Sequence, residues 1–239
     1  MRRRRDLRVF AQGGHRSEEA VEILKNYIFF DLDGTLTDPA LGITNSIMYA
    51  LEQFGIRTER RENLYKFIGP PLAQSLMEAY GFSQNRAEEA LKNYRVYFER
   101  SGMFENKVYE GVAALLGSLQ AAGARLVLAT SKPEIFARRI LEHFDLANYF
   151  YLIGGADMSG ARVTKEAVLG YALAELGGVS PEDSVMVGDR KYDVAGAAAF
   201  HIDTVGVTYG YGSRDELVQA GAKYIADSVP ELQKILFSL

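Results

Sequence analysis

The chain has 239 residues, of which 48% are hydrophobic and 24% are charged, as in ordinary globular proteins. The absence of cysteine excludes a thiol nucleophile, a disulfide framework and a cysteine-ligated zinc site, and it fits the cytoplasmic location that we expect. The net charge is −4. Residues 1–25 contain seven Lys or Arg and four Asp or Glu, a net charge of +3, so the remaining residues carry −7. Because the body of the chain is acidic, we expect no nucleic-acid partner. Because no apolar run in the sequence is long enough to span a bilayer, we expect no membrane partner either.

Residues 1–25 are interpreted as an N-terminal extension that is flexible and has little role in the fold. Four arginines occupy positions 2–5. The extension lacks the apolar segment of a secretory signal, and its acidic residues disfavour a transit peptide. A short helix over residues 17–24, with Ser17 as its N-cap, is an alternative for its second half.

The first predicted strand, residues 27–30, leads directly into two aspartates, Asp31 and Asp33. Carboxylates at i and i+2 on an extended chain point the same way, and Gly34 then allows a turn. Because like charges held close raise each other's pKa, a divalent cation is the simplest counter-charge. One acid could then attack an electrophile while the other handles a proton. Alternatively, the two acids only end a strand and begin a turn.

Residues 39–107 have apolar residues at helical spacing and no convincing strand. We predict three or four helices here, inserted as a cap. Within this segment, Gly69-Pro70-Pro71 is a stiff turn that either faces the site or links two cap helices. Asn45 either touches substrate or is an exposed helix residue.

From residue 108 onward, apolar runs alternate with helical patterns. The predicted strands are residues 125–130, 149–153, 184–189, 203–207 and 224–227. The predicted helices are residues 112–122, 134–144, 165–176, 193–200 and 215–220. This alternation predicts an α/β fold with a parallel sheet covered by helices on both faces. Residues 26–38 and 108–239 would form the core domain, and its ligand crevice would lie at the carboxyl ends of the strands.

Thr130 and Ser131 end the second strand of the predicted core sheet. Ser131 and Glu134 match a capping box before a helix, with Pro133 in its first turn. A helix N-terminus with a nearby hydroxyl also binds phosphate, and the residues alone leave both interpretations open.

Two further positions are candidates for charge chemistry. Lys165 opens a predicted helix after a glycine-rich segment, although a lone lysine is usually a solvated surface residue. Asp189 leaves an apolar strand, and Asp193 follows four residues later, so both acids could complete an oxygen-rich cation site. Asp193 could instead act only as a helix N-cap.

Taken in order, these four motifs resemble those of the haloacid dehalogenase-like superfamily of phosphohydrolases. The resemblance covers residues 26–239 and implies a Rossmann-like parallel sheet with an inserted α-helical cap domain. Segments 67–72, 129–133 and 206–212 resemble the phosphoglycolate phosphatase-like and 5′-nucleotidase-like branch. Tyr192 stands where these relatives often carry histidine, and we expect it to change local packing rather than chemistry.

The resemblance also implies residue roles. Asp31 would attack phosphorus, and Asp33 would protonate the leaving alcohol and then activate water. Lys165 would neutralise the nucleophile and a phosphate oxygen, a role for which Lys132 and Lys191 are weaker candidates. The implied cofactor is Mg²⁺, with Asp31, the Asp33 carbonyl, Asp189 and Asp193 as its ligands. The implied substrate-binding residues are Gly34, Thr130, Ser131 and Lys165.

The function implied is a Mg²⁺-dependent phosphatase that forms an aspartyl-phosphate. Its substrate would be a small phosphorylated metabolite, either phosphoglycolate or a nucleoside monophosphate, and the protein would be a monomer or homodimer. Two alternatives are a phosphomutase of the β-phosphoglucomutase type and a catalytically silent binding protein on the same fold. The cap would exclude water and select the leaving group.

Overall fold

The structure is a computed structural model that describes residues 25–58 and 60–239. The helix predicted over residues 17–24 and nearly all of the N-terminal extension lie outside the described residues. The strands are β1 (Tyr27–Phe30), β2 (Thr37–Asp38), β3 (Lys107–Val108), β4 (Arg125–Pro133), β5 (Phe150–Ala156), β6 (Ser184–Gly188), β7 (Asp203–Val207) and β8 (Tyr224–Ala226). The α-helices are α1 (Ala40–Glu52), α2 (Leu72–Tyr80), α3 (Gln84–Tyr97), α4 (Val112–Ala121), α5 (Glu134–His143), α6 (Lys165–Glu175), α7 (Lys191–Ala198), α8 (Arg214–Ala220) and α9 (Val229–Leu236).

Six of these strands form one parallel sheet in the order β5-β4-β1-β6-β7-β8. β1 lies between β4 and β6, with Tyr27 opposite both Arg125 and Ser184. The chain therefore leaves the sheet at neighbouring points after β1, β4 and β6, which is where open α/β sheets bind ligands. The predicted fold class is confirmed.

Both faces of the sheet are buried. Phe29 packs with Val127 and Met186 on one face, where α6 and α7 cover the sheet. Phe30 packs with Leu128 and Val187 on the other face, in the layer that contains α4, α5 and α9. Because successive strand side chains point to opposite faces, two buried faces require the near-continuous apolar runs seen in the sequence.

The segment between β2 and β3 is helical and forms the cap. It contains α1, a 3₁₀ helix (Arg61–Phe67), α2, α3 and a π-helical turn (Phe98–Gly102). β2 and β3 pair antiparallel, with Thr37 opposite Val108. No strand was predicted for residues 39–107, but Lys107 begins β3. A strand of two residues is too short to give a periodic signal.

Helix α9 was not predicted, although its signals are present. Ser228 is the N-cap and accepts a hydrogen bond from the Glu231 backbone N–H, and a proline occupies the first turn. Leu232 and Leu236, four residues apart, are both 1% exposed. Within residues 25–58 and 60–239, no helix is both long and apolar enough to cross a membrane.

Candidate active site

Asp31, Thr130 and Asp189 lie at the carboxyl edge of adjacent strands. Asp31 follows β1, and its backbone N–H donates to the carbonyl of Val187 at 3.0 Å. Thr130 lies near the end of β4, and Asp189 directly follows β6. All three side chains are buried, with residue exposures of 5%, 2% and 0%. The parallel register thus brings together residues that are far apart in the sequence.

Gly34 forms the tight turn that the sequence predicts after Asp33. Its φ of 86° favours glycine, and its N–H donates to the Thr37 carbonyl at 2.7 Å. A Cβ atom at Gly34 would lie 2.2 Å from Asp189 Oδ2. The turn therefore packs directly against the acidic residue after β6. This contact accounts for glycine here, whereas a substrate contact by Gly34 stays a prediction.

The carboxylates of Asp31, Asp189 and Asp193 form a buried cluster, with one oxygen of each within 4.8 Å of the others. Burial, followed by the charges of Asp193 and Asp31, raises the pKa of Asp189 well above its usual value. Burial and the charge of Asp31 also raise the pKa of Asp193 to about 6, although Lys165 opposes this. Asp189 Oδ1 has no hydrogen-bond partner in the described part of the chain. A buried, oxygen-rich set with excess negative charge fits Mg²⁺.

Lys165 is the first residue of α6 and reaches this cluster. Its Nζ lies 2.8 Å from Asp31 Oδ1, 2.7 Å from Asp193 Oδ1 and 2.9 Å from the carbonyl oxygen of Ala129. Burial alone would lower the pKa of Lys165, but the two carboxylates outweigh it and the pKa is raised. The ammonium group therefore stays charged and neutralises part of the cluster.

Asp193 also holds the start of α7. Its Oδ2 accepts a hydrogen bond from the backbone N–H of Arg190 at 3.0 Å. Arg190 is the N-cap, so Asp193 is a first-turn residue and the alternative that it is the N-cap is wrong. A Cβ atom at Gly188 would lie 2.2 Å from Asp193 Cγ, which explains why glycine ends β6.

The capping-box alternative for Ser131 is also wrong. β4 continues through Pro133, and α5 begins at Glu134 with no side-chain cap. Proline disfavours the helical conformation in the residue before it, so Lys132 stays extended. Ser131 therefore remains on the strand, and both Thr130 and Ser131 line a cavity.

This cavity, of about 690 Å³, lies between the carboxyl edge of the sheet and the cap. Asp31 and Asp33 line it from the core, and Gly69, Pro70 and Pro71 line it from the cap, so this stiff turn does face the site. Further cap residues in the lining are Phe67, Leu72, Gln74, Gln84, Glu88, Leu91, Lys92, Tyr94, Arg95 and Phe98. Asn45 instead donates to Glu105 Oε2 at 2.7 Å.

The model of the haloacid dehalogenase-like hydrolase family matches residues 28–207. The chain belongs to this family. The resemblance stated from the four motifs is thereby confirmed, and the chain is identified as a hydrolase of this family.

Three curated relatives cover most of the chain. A 5′-nucleotidase of Pseudomonas aeruginosa is 42% identical over 88% of this chain and 95% of its own. A tyrosine-protein kinase, PtkA, of Mycobacterium tuberculosis is 43% identical over 87% of this chain and 72% of its own. A phosphoglycolate phosphatase of Colwellia psychrerythraea is 32% identical over 87% of this chain and 95% of its own. The crystal structure described as "a predicted phosphatase from Clostridium acetobutylicum" superposes with a TM-score of 0.88 at 52% identity, covering 90% of this chain and 99% of that one.

Lys132 is a charged site residue that sequence reasoning underrated. The sequence indicates Lys132 only as a weaker candidate for the role of Lys165, but its side chain is 6% exposed and forms an ion pair with Asp33 Oδ2. Burial raises the pKa of Asp33, and the nearby Lys132 opposes that rise. The signal in the sequence is the spacing between Thr130 and Lys132. Because residues two apart on a strand share a face, Lys132 lies on the same face as the predicted site residue Thr130.

Arg190 is a second residue that sequence reasoning missed, and it joins the acidic motif after β6 to the cap. Its Nη1 donates to the Ile68 carbonyl at 2.6 Å, and its Nε lies 2.9 Å from Glu216 Oε1. No local pattern in the sequence relates Arg190 to Ile68.

Proposed function

We propose that this chain is a Mg²⁺-dependent phosphatase that hydrolyses small phosphomonoesters through an aspartyl-phosphate on Asp31. The observation that carries the proposal is the position of Asp31. Its carboxylate lines the substrate-sized cavity and also belongs to the buried acidic cluster with Asp189 and Asp193. A carboxylate so placed can attack an electrophile in the cavity while cations behind it offset the charge.

Asp31, the backbone carbonyl of Asp33, Asp189 and Asp193 would hold the Mg²⁺. When bound, the ion supplies positive charge that offsets these carboxylates and the phosphoryl oxygens. Lys165 supplies a second positive charge beside Asp31.

In the first half-reaction, Asp31 forms a bond to phosphorus while the bond from phosphorus to the leaving oxygen breaks. Asp33 gives its proton to that oxygen. In the second half-reaction, Asp33 takes a proton from water, which attacks phosphorus and releases Asp31. Thr130 and the backbone N–H of Ser131 would position the remaining phosphoryl oxygens, since positioning and charge stabilisation dominate phosphoryl transfer.

Among the two substrate classes considered, the cavity favours a nucleoside 5′-monophosphate over phosphoglycolate. Cavities of about 300–1,000 Å³ suit drug-sized ligands, and 690 Å³ is far more than a two-carbon acid fills. The lining contains apolar groups such as Leu72 and Leu91 as well as amides such as Gln74 and Gln84. Such a wall suits a nucleobase with its sugar. The name of the Pseudomonas relative agrees with this choice.

The test is a phosphate-release assay of the full chain with Mg²⁺ or with EDTA. The panel would contain nucleoside 5′-monophosphates, 2-phosphoglycolate, p-nitrophenyl phosphate and a hexose 1-phosphate. We expect EDTA-sensitive release, fastest with a nucleoside monophosphate. Conversion of the hexose phosphate to its isomer with little free phosphate would favour the phosphomutase alternative. No turnover of any substrate would favour a silent binding protein.

A further inference from the structure

Lys132 and Asp33 form an ion pair at the boundary between the core and the cap. Lys132 Nζ contacts Asp33 Oδ2, and the two side chains are only 6% and 10% exposed. The same ammonium group lies 4.8 Å from the centroid of the Phe98 ring, which belongs to the cap. The Phe98 ring in turn stacks on Tyr94 at 5.3 Å and 14°. Lys132 therefore touches both the core acid and an aromatic pair of the cap.

The backbone of Lys132 is held firmly. Its N–H donates to Thr130 Oγ1 at 3.2 Å. Pro133 follows and restricts Lys132 to the extended region. The side chain thus enters the site from a fixed point on β4, and its ammonium group lies over the Phe98 ring.

This contact divides the two oxygens of Asp33 between different tasks. Oδ2 is engaged by Lys132, whereas Oδ1 is buried and has no hydrogen-bond partner within residues 25–58 and 60–239. One oxygen is therefore anchored, and the other is available to a group in the cavity. A residue that passes a proton to a leaving oxygen needs such a fixed orientation.

The two aspartates of the first motif also have separate cations. Lys165 lies 2.8 Å from Asp31 Oδ1, on the side of the acidic cluster. Lys132 pairs with Asp33 and lines the cavity. A lysine that served only to offset charge would have no need of contact with the cap, whereas Lys132 is in contact with Phe98.

We propose that Lys132 is a positioning residue that orients Asp33 for proton transfer and is itself held in place by Phe98 of the cap. The proposal rests on the phosphatase function proposed above. It predicts that loss of Lys132 harms those reactions that need a proton donor and spares those that do not. An alkyl phosphate needs its leaving oxygen protonated, whereas p-nitrophenolate leaves without a proton.

The experiment compares kcat/KM of wild type and Lys132→Met for a nucleoside 5′-monophosphate and for p-nitrophenyl phosphate. This ratio reports phosphoryl transfer to Asp31, the step in which the leaving oxygen departs. We expect Lys132→Met to lower kcat/KM about 100-fold for the nucleotide, since general acid catalysis contributes about 10²–10⁴-fold. For p-nitrophenyl phosphate we expect a decrease of about threefold or less. Equal losses on both substrates, or no loss on either, would overturn the proposal.

Lys66→Met is the matched control. Lys66 also lies over a phenylalanine of the cap, 5.2 Å from the Phe67 ring centroid, but it is exposed and belongs to the 3₁₀ helix. We expect Lys66→Met to leave both kcat/KM values unchanged. The double variant Lys132→Met/Asp33→Asn tests whether Lys132 acts through Asp33. It should be no slower on the nucleotide than Asp33→Asn alone, and a further loss would contradict the mechanism.

Circular dichroism and thermal melts would establish that the variants fold. If Lys132→Met does not fold, Lys132→Arg carries the same comparison, because it keeps the cation but moves its nitrogen atoms. It should again slow the nucleotide more than p-nitrophenyl phosphate, and equal effects would count against the proposal. Inactivity of the wild type on both substrates would instead contradict the phosphatase function itself.

Discussion

The two walls of the cavity differ in what fixes their side chains. On the core wall, Asp31 and Thr130 lie at the ends of hydrogen-bonded parallel strands, so the register of the sheet sets their spacing. On the cap wall, side chains come from the 3₁₀ helix, α2 and α3, whose positions depend on packing between helices. Backbone ladders hold a geometry more rigidly than side-chain packing does. We therefore expect the core wall to carry the chemistry and the cap wall to select the leaving group.

The two walls also differ in charge and burial. On the core wall, Asp31 and Asp33 are buried, and they pair with Lys165 and Lys132 respectively. Several polar residues of the cap wall, such as Gln84 and Lys92, are exposed. Changes at Asp31 or at its partner Lys165 should thus affect every substrate, and changes on the cap wall should alter the preference among substrates.

Replacing the proposed nucleophile should give the largest effect. Asp31→Asn keeps the shape of the side chain but removes the charge needed for attack, so we expect hydrolysis of all substrates to fall by at least about 10⁴-fold. Phosphate release measures the loss, and a thermal melt verifies the fold. Asp203→Asn, at a partly exposed acid paired with Lys223, is the control and should retain activity. Full activity of Asp31→Asn would exclude the covalent mechanism.

Removal of Lys165 should affect both rate and stability. Lys165→Met leaves Asp31 and Asp193 without their buried cation, and breaking a buried pair costs about 3–5 kcal/mol. Urea unfolding in EDTA measures this loss, and we expect activity with Mg²⁺ to fall about 100-fold. Lys223→Met, which removes an exposed pair, should leave the urea midpoint nearly unchanged. An unaltered midpoint in Lys165→Met would show that the buried pair is dispensable.

Magnesium should stabilise the protein more at pH 7.5 than at pH 5. Burial raises the pKa of Asp193 to about 6 and that of Asp189 well above its usual value. The folded state thus binds protons more tightly than the unfolded chain, so the stability from these groups is present at acidic pH and is lost as the pH rises through about 6. Thermal melts in EDTA and in Mg²⁺ at both pH values test whether Mg²⁺ stabilises the protein more at pH 7.5 than at pH 5. We expect the increase in Tm to be larger by about 5 °C at pH 7.5.

Equal increments of Tm at the two pH values would contradict this account of the acidic cluster. Asp189→Asn provides the control, since it removes one carboxylate from the cluster without changing its size. In this variant we expect little stabilisation by Mg²⁺ at either pH. Stabilisation as large as in wild type would place the ion elsewhere.

The sheet and most of its site could be predicted from the sequence because the signals are local. An apolar run that ends in an acid, as at Phe30 and Asp31 or at Gly188 and Asp189, marks both a buried strand and its carboxyl end. Once the strands are parallel, topology alone brings those ends together. The proximity of Asp31 to Asp189 followed from this argument.

The parts of the site that the sequence does not predict depend on contacts between segments that are distant in the chain. Lys132 looks like a surface residue until Phe98 of the cap covers it, and Arg190 has no visible partner until Ile68 reaches it. The capping box at Ser131 failed for a local reason, because Pro133 keeps the preceding residue extended. This restriction is itself visible in the sequence, and it disfavours a capping box that begins at Ser131.

The smallest effect should come from the cap wall. Arg95 lies in the last turn of α3 and lines the cavity from the cap. We expect this cation to contact only the leaving group, so Arg95→Met should raise KM for the preferred nucleotide about tenfold. It should change kcat/KM for p-nitrophenyl phosphate by about twofold or less.

Steady-state kinetics with the nucleotide and with p-nitrophenyl phosphate measures the difference between the two effects. Arg100→Met is the matched control, because Arg100 is another arginine of the cap but does not line the cavity. Its guanidinium group lies over the ring of Tyr97. The control variant should leave both substrates unaffected. If Arg95→Met instead slowed every substrate equally, the cap would take part in the chemistry, and the division between the two walls would not hold. A selective effect would mean that substrate choice can be changed on α3 while the carboxylates of the core continue to work.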